Sequence, residues 1–175
     1  RRVPSLDGQP AAAVLRDWVG PDIEGQVRGG GPILAQTALL PVGFGDPVNC
    51  VHPAFIDADT QAVDVFANLP VGTKIHGLSA ERADLVAALD TVWEKALEDF
   101  GGEPSSLAGV FLIYCAGCAG AAGDELDQGI RNWAKGLNGV PMLGACTFGE
   151  QGHIPGHGNR HGNLSVGLML MGREI

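Results

Sequence analysis

An almost unbroken apolar run, LAGVFLIYC at positions 107–115, constrains the fold more than any other feature of the sequence. A short apolar run of this kind, bounded by turn residues, is typical of a β-strand. Because the apolar residues do not alternate with polar ones, the run indicates a strand that is buried on both faces of its sheet. The chain is therefore predicted to contain a sheet with helices packed on it.

The residues after this run complete a βαβ pattern. A loop rich in glycine and alanine follows, and apolar residues then recur at helical spacing over positions 124–137. Residues 140–147 are predicted to form a second buried strand, and residues 164–171 a last strand. Strand, loop, helix and strand together make a βαβ unit of about the usual size.

Upstream of the run, the pattern predicts a different kind of structure. Residues 54–78 alternate short extended segments with turn residues, which predicts a small antiparallel meander. Ser79 is the predicted N-cap of a long helix near 80–99, and a shorter helix is expected over residues 10–19. The predicted fold class is α/β, with a central mixed sheet, the βαβ unit, the meander and the long helix.

The length of 175 residues fits one domain. We predict a single domain over residues 1–175, with a junction segment over 1–50 and the core over 51–175. Since the sequence starts at Arg1 without an initiator methionine, we expect the chain to be a fragment of a longer protein.

Charge and composition narrow the possible partners. The chain has 11 Lys and Arg against 20 Asp and Glu, a formal charge of −9, which disfavours nucleic acid and anionic lipid surfaces. It contains no apolar run of the ~20 residues that a bilayer requires, so no membrane insertion is expected. Four scattered cysteines are too few for a secreted disulfide scaffold, which favours a cytoplasmic location.

Two chemically distinctive segments follow the two strands of the βαβ unit, where ligands tend to bind. The first contains Cys115 and Cys118 as a CxxC pair, which could be a redox couple or half of a metal site; small buried cysteines are the favoured alternative. Further metal ligands could come from Cys146 and from His153, His157 and His161, although Pro155 and nearby glycines exclude a helix that would present the histidines on one face.

The second segment ends at Glu150, which could either bind an amine or order its loop by accepting backbone N–H bonds. His161 and Asn163 precede the last strand, where the pair could simply cap a loop. The sequence has no GxSxG motif, and no histidine stands at a spacing that pairs it with a cysteine. We therefore expect a protein that is not an enzyme, with a thiol enzyme as the open alternative.

Several segments taken in order resemble the C-terminal part of the FIST domain family, found at the input end of bacterial and archaeal signalling proteins. These are DGQPA with WVG, His52-Pro53, FLIYCAG at 111–117, GACTFGE at 144–150 and HGNLS at 161–165. The family pattern usually has an arginine three residues after its cysteine, where this chain has Cys118, so its ligand is expected to differ if that arginine holds an anion.

The resemblance implies a sensor of small ligands, with amino acids proposed for the family, that acts on histidine kinases, cyclases or chemotaxis receptors. It also implies haem as a conceivable cofactor, with the loop histidines as axial ligands. The resemblance further implies that the chain is the C-terminal half of a longer FIST-type sensor, whose N-terminal half is expected to share the ligand pocket. The predicted ligand-binding residues are Cys115, Gly117, Cys118, Thr147, Glu150, His161 and Asn163; Cys118, His157 and His161 are the alternative metal ligands.

Overall fold

The computed structural model describes residues 1–154, 156 and 158–173, apart from the side chain of Ile154. The chain forms two compact units. The first unit comprises Arg1–Ala80 and Gly162–Leu164; the second comprises Glu81–His161 and the residues from Ser165 onward. Each is described by itself.

The first unit consists of short strands, three α-helices and a short 3-10 helix (Pro21–Ile23). Its helices are α1 (Ala11–Val19), α2 (Glu24–Gly29) and α3 (Leu34–Thr37), and its strands are β1 (Arg2–Val3), β2 (Ser5–Leu6), β3 (Gln9–Pro10), β4 (Gly31–Pro32), β5 (Val42–Phe44), β6 (Asn49–Val51), β7 (Pro53–Ile56), β8 (Val63–Val65) and β9 (Ile75–Gly77). The strands form one sheet in the order β1-β8-β7-β4, a second in the order β6-β5-β9 and the hairpin β2-β3, all antiparallel.

Aliphatic side chains hold the first unit together. Helix α1 buries Ala11, Ala12 and Leu15 on one face, and these residues pack in a cluster with fully buried Ile23 and Ile56. A leucine or isoleucine side chain contributes about 1.5–3 kcal/mol to folding stability when it is fully buried. The cluster therefore stabilises strands that are too short to be stable alone.

The second unit contains the predicted βαβ unit. Its helices are α4 (Arg82–Phe100), α5 (Ala116–Ala122) and α6 (Asp124–Gly136), and its strands are β10 (Leu107–Cys115), β11 (Met142–Thr147), β12 (Glu150–Ile154), β13 (Gly158–Gly162) and β14 (Val166–Gly172). The main sheet has the order β11-β10-β14, with β10 parallel to β11 and antiparallel to β14. The sheet is therefore mixed, and β12 and β13 form a separate pair.

Helices α4 and α6 pack on one face of this sheet. Leu107 and Val110 of β10 are buried there with Leu137, and the rings of Trp93 and Trp133 meet edge to face at 5.5 Å between centroids. Such a pair adds about 0.5–1.5 kcal/mol beyond the area that it buries. The predicted mixed α/β fold is confirmed, including the long helix and the βαβ unit.

The burial predicted for the second strand of the βαβ unit is wrong. Strand β11 is largely exposed, and Leu143 at its centre has 68% of its surface accessible. β11 is the edge strand, and the face of the sheet that carries Leu143 and Met169 points away from the buried cluster. Only β10, the middle strand, is buried over most of its length.

Three details of the predicted secondary structure also differ. The long helix begins at Arg82, and its N-cap is Glu81 instead of the predicted Ser79. The backbone N–H of Glu81 donates a hydrogen bond to the Asp84 carboxylate at 2.7 Å, as in a capping box. The meander is incomplete: β7 pairs with β8, but β9 pairs with β5 in another sheet. The histidine segment, predicted as a loop, contains the paired strands β12 and β13.

The prediction of one domain, with a junction over residues 1–50 and a core over 51–175, stays a prediction. Among the described residues, no helix combines the length and apolar character needed to cross a bilayer.

Candidate functional site

The candidate site lies in the second unit, where β10 and β11 end. Because the two strands are parallel and in register, Cys115 at the end of β10 pairs with Thr147 at the end of β11. The short helix α5 follows Cys115 directly, and Glu150 starts β12 three residues after Thr147. The βαβ connection thus brings together residues that are 32 or more positions apart in the chain, as predicted for strand ends.

Glu150 is the most unusual residue of this site, since only 5% of its surface is accessible. The Thr147 hydroxyl donates a hydrogen bond to Glu150 Oε1 at 3.0 Å. The second oxygen, Oε2, is buried and has no hydrogen-bond partner among the described residues. A buried polar atom without a partner costs about 1–3 kcal/mol, and more when it is charged, so this oxygen marks a position where a donor is missing.

Cys115 is the second unusual residue, because its surroundings stabilise the thiolate. The side-chain hydrogen bond from Cys118 lowers the pKa of the Cys115 thiol to about 6, aided by the backbone N–H groups of Cys118 and Gly117; burial and the negative charge of Glu150 act in the opposite direction. At neutral pH the sulfur is therefore mainly ionised. Both cysteines are buried, at 4% and 2% exposure.

Tyr114, beside Cys115, heads the same segment but was not among the predicted ligand-binding residues. Its hydroxyl donates to the Leu85 carbonyl of α4 at 2.6 Å, and burial, with the nearby Cys118, Cys115 and Cys146, raises its pKa. The phenol therefore stays protonated and supplies no base.

The structure places the other predicted ligand residues as follows. His161 lies on β13 and packs against Gly149. The backbone of Gly149 has a φ of 84°, a conformation that favours glycine. The space beside it is also tight, because a Cβ atom at this position would lie only 3.1 Å from His161 Cε1. Asn163 belongs to the first unit, where its Oδ1 accepts the backbone N–H of His52 at 3.1 Å. The structure thus gathers Cys115, Gly117, Cys118, Thr147 and Glu150, and it gives Asn163 a structural partner elsewhere.

The alternative metal site finds little support in the described part of the chain, which contains no group of three or more His, Cys, Asp or Glu residues arranged to hold an ion. His157 lies outside the described residues. His153 Nδ1 lies 3.2 Å from Asn159 Oδ1 within the β12–β13 pair.

Haem, which the resemblance also implied, would need a cavity with an axial ligand. Two cavities of about 490 Å³ each lie among the described residues of the second unit, one lined mainly by α4 and α6 and the other mainly by α4. No histidine lines either of them. Among the described residues, these cavities therefore do not fit a histidine-ligated haem.

A family model, described as the FIST C domain, matches residues 11–153. The chain belongs to this family. FIST C domains are sensory-type domains of signal-transduction proteins. The match includes Cys115, Cys118, Thr147 and Glu150 but ends before His161 and Asn163. Comparisons with curated proteins and with solved structures gave no match.

Proposed function

We propose that this FIST C domain binds a small ligand through Glu150 at the ends of β10 and β11, and reports the bound state to a signalling partner. The observation that carries the proposal is the buried Oε2 atom of Glu150, which has no hydrogen-bond partner among the described residues. A ligand that supplies a donor there would offset the cost of burying this oxygen.

The chemistry of the site favours a ligand with a cationic or N–H donor group. An ionised carboxylate only accepts hydrogen bonds, and the Thr147 hydroxyl already occupies its other oxygen. The thiolate of Cys115 adds a second negative charge near Glu150. An ammonium group, as in the amino acids implied by the family resemblance, fits this environment better than an anion does.

Signal transmission is proposed to proceed through the β12–β13 pair. Glu150 is the first residue of β12, so a ligand held by its carboxylate contacts the start of this pair directly. A ligand shifts an equilibrium between two conformations by its differential affinity for them. We propose that ligand binding favours one conformation of the pair, which a histidine kinase, cyclase or chemotaxis-type partner in the cytoplasm recognises, and that the N-terminal half of the longer protein contributes to the pocket.

A ligand screen tests this proposal. Amino acids and simple amines are screened by thermal shift with the full chain, and hits are measured by calorimetry with the wild type, Glu150→Gln and the exposed control Glu125→Gln. Removal of the Glu150 charge is expected to weaken binding at least tenfold, which is about 1.4 kcal/mol, while the control binds normally. Equal affinity of Glu150→Gln and wild type for every hit would show that the site is wrong.

A further inference from the structure

The CxxC pair of this chain places two buried cysteines where β10 meets α5. Cys115 is the last residue of β10, and Cys118 lies in the first turn of α5. The Cys118 thiol hydrogen-bonds to the Cys115 sulfur. Neither residue forms a disulfide in this structure, and the hydrogen bond between them turns the two side chains toward each other, as a disulfide requires.

The two thiols have different chemical roles. Cys115 accepts hydrogen bonds from the Cys118 side chain and from the backbone N–H groups of Cys118 and Gly117, so its pKa is lowered to about 6. The thiolate, and not the thiol, is the nucleophile that attacks an oxidant. Cys118, which donates that hydrogen bond, stands beside the Cys115 sulfur and is available for a second step.

Burial restricts the oxidant that can reach the pair. Cys115 is 4% exposed and Cys118 is 2% exposed, whereas Cys146 on the edge strand β11 is exposed. Bulky disulfides therefore reach Cys146 more readily than the pair. Hydrogen peroxide is little larger than water, so it suits a sulfur atom that has only a small accessible surface.

We infer that Cys115 and Cys118 form a dithiol that hydroperoxides oxidise to an intramolecular disulfide, with Cys115 as the sulfur that reacts with the peroxide and Cys118 as the resolving one. In the first step the Cys115 thiolate attacks one peroxide oxygen; an S–O bond forms, the O–O bond breaks, and hydroxide leaves. In the second step the Cys118 sulfur displaces the oxygen from the Cys115 sulfenic acid, which releases water. The dithiol loses two electrons, and the peroxide gains them.

Oxidation changes the electrostatics of the candidate ligand site. The disulfide has no charge, so the negative charge that the Cys115 thiolate places near Glu150 is lost. The S–H donor of Cys118 is lost with it. The inference nevertheless does not depend on ligand binding, since it concerns only the two sulfur atoms and their donors.

Tryptic mapping of the full chain tests the inference directly, because cleavage separates the cysteines. Residues 96–131 form one peptide with Cys115 and Cys118, Cys146 lies in peptide 136–160, and Cys50 lies in peptide 29–74. After brief treatment with hydrogen peroxide and alkylation in denaturant, peptide 96–131 is expected to be two hydrogen atoms lighter and unalkylated. Dithiothreitol should restore both thiols.

Variants identify the two roles. Cys118→Ser keeps a hydroxyl donor but cannot form the disulfide, so Cys115 should accumulate as a sulfenic acid, which dimedone added together with denaturant traps; Cys146→Ser should behave like the wild type. If peroxide oxidises Cys146 while peptide 96–131 keeps two alkylatable thiols, the inference is overturned, and this result needs no variant to fold. The Glu150 proposal is unaffected by that outcome, because its test measures ligand affinity.

Discussion

The two units of this chain treat their buried polar groups differently. In the first unit these groups are satisfied: Thr37 Oγ1 lies 2.9 Å and 2.8 Å from the carbonyl oxygens of Ile33 and Pro53, and His52 Nε2 lies 3.0 Å from the Leu34 carbonyl. In the second unit, Glu150 keeps a buried oxygen without a described partner, and Cys115 is a buried thiolate. Polar groups with complete partners stabilise a fold, whereas incomplete ones mark positions for a ligand or a reaction.

The largest effect is expected from Asn163→Ala in the first unit. The Asn163 side chain accepts the buried backbone N–H of His52, so its removal leaves that donor without a partner and should cost about 1–3 kcal/mol. Hydrogen exchange measured by NMR should show faster exchange of the His52 amide. Ligand affinity corrected for the folded fraction should not change; a selective loss of affinity in a stable protein would return Asn163 to the ligand site.

The next effect is on the pH dependence of stability, which should differ between the two units. The pKa of Cys115 is about 6 in the folded state against 9.0 in the unfolded chain, so the unfolded state binds an extra proton between these values. Stability from this thiolate is therefore complete above pH 9 and is lost as the pH falls through 6, with a slope of at most about 1.4 kcal/mol per pH unit.

Hydrogen exchange of the β10 amides against pH measures this slope in the second unit, and Cys115→Ala should remove it. In the first unit, burial lowers the pKa of His52 despite its hydrogen bond to Leu34, so that unit should lose stability mainly below the ordinary histidine value of 6.5. The same profile in both units, unchanged by Cys115→Ala, would contradict the comparison.

A smaller effect, a gain in folding stability instead of a loss, is expected from Glu150→Met. This change removes the buried carboxylate and its unsatisfied oxygen, and it leaves the Thr147 hydroxyl to find another acceptor. We expect the unliganded second unit to gain about 1 kcal/mol, because a buried charge without full partners costs more than an apolar group of similar size. Thermal unfolding compared with the exposed control Glu125→Met checks this; a clear loss of stability would mean that Glu150 is structural.

Much of the second unit could be predicted because its signals are local. The apolar run of β10 and the helical spacing of α6 depend on neighbouring residues, and parallel strands then require that Cys115 and Thr147 meet. The exposure of β11 could not be predicted, since it depends on which strand lies at the edge of the sheet. The role of Asn163 was equally hidden, because its partner His52 lies 111 residues away.

The same limit applies to Cys118. The CxxC spacing indicated a pair, but only the fold shows which sulfur donates and which accepts, and therefore which one is ionised. Glu150 was selected from its position after a buried strand. Its burial depends on how the β12–β13 pair folds, which the glycine-rich sequence does not indicate.

The smallest and most specific effects concern the balance that sets the ionisation of Cys115. Cys118→Ala removes the strongest stabilising hydrogen bond and should raise the pKa of Cys115, whereas Cys118→Ser keeps a donor and should raise it less. Glu150→Gln removes a nearby negative charge and should lower the pKa. The ultraviolet absorbance of the thiolate against pH measures all three without a reagent that must enter the site. Shifts of the same sign for Cys118→Ala and Glu150→Gln would mean that burial, and not these two neighbours, controls the thiol. The second unit would then resemble the first, with buried polar groups that only stabilise the fold.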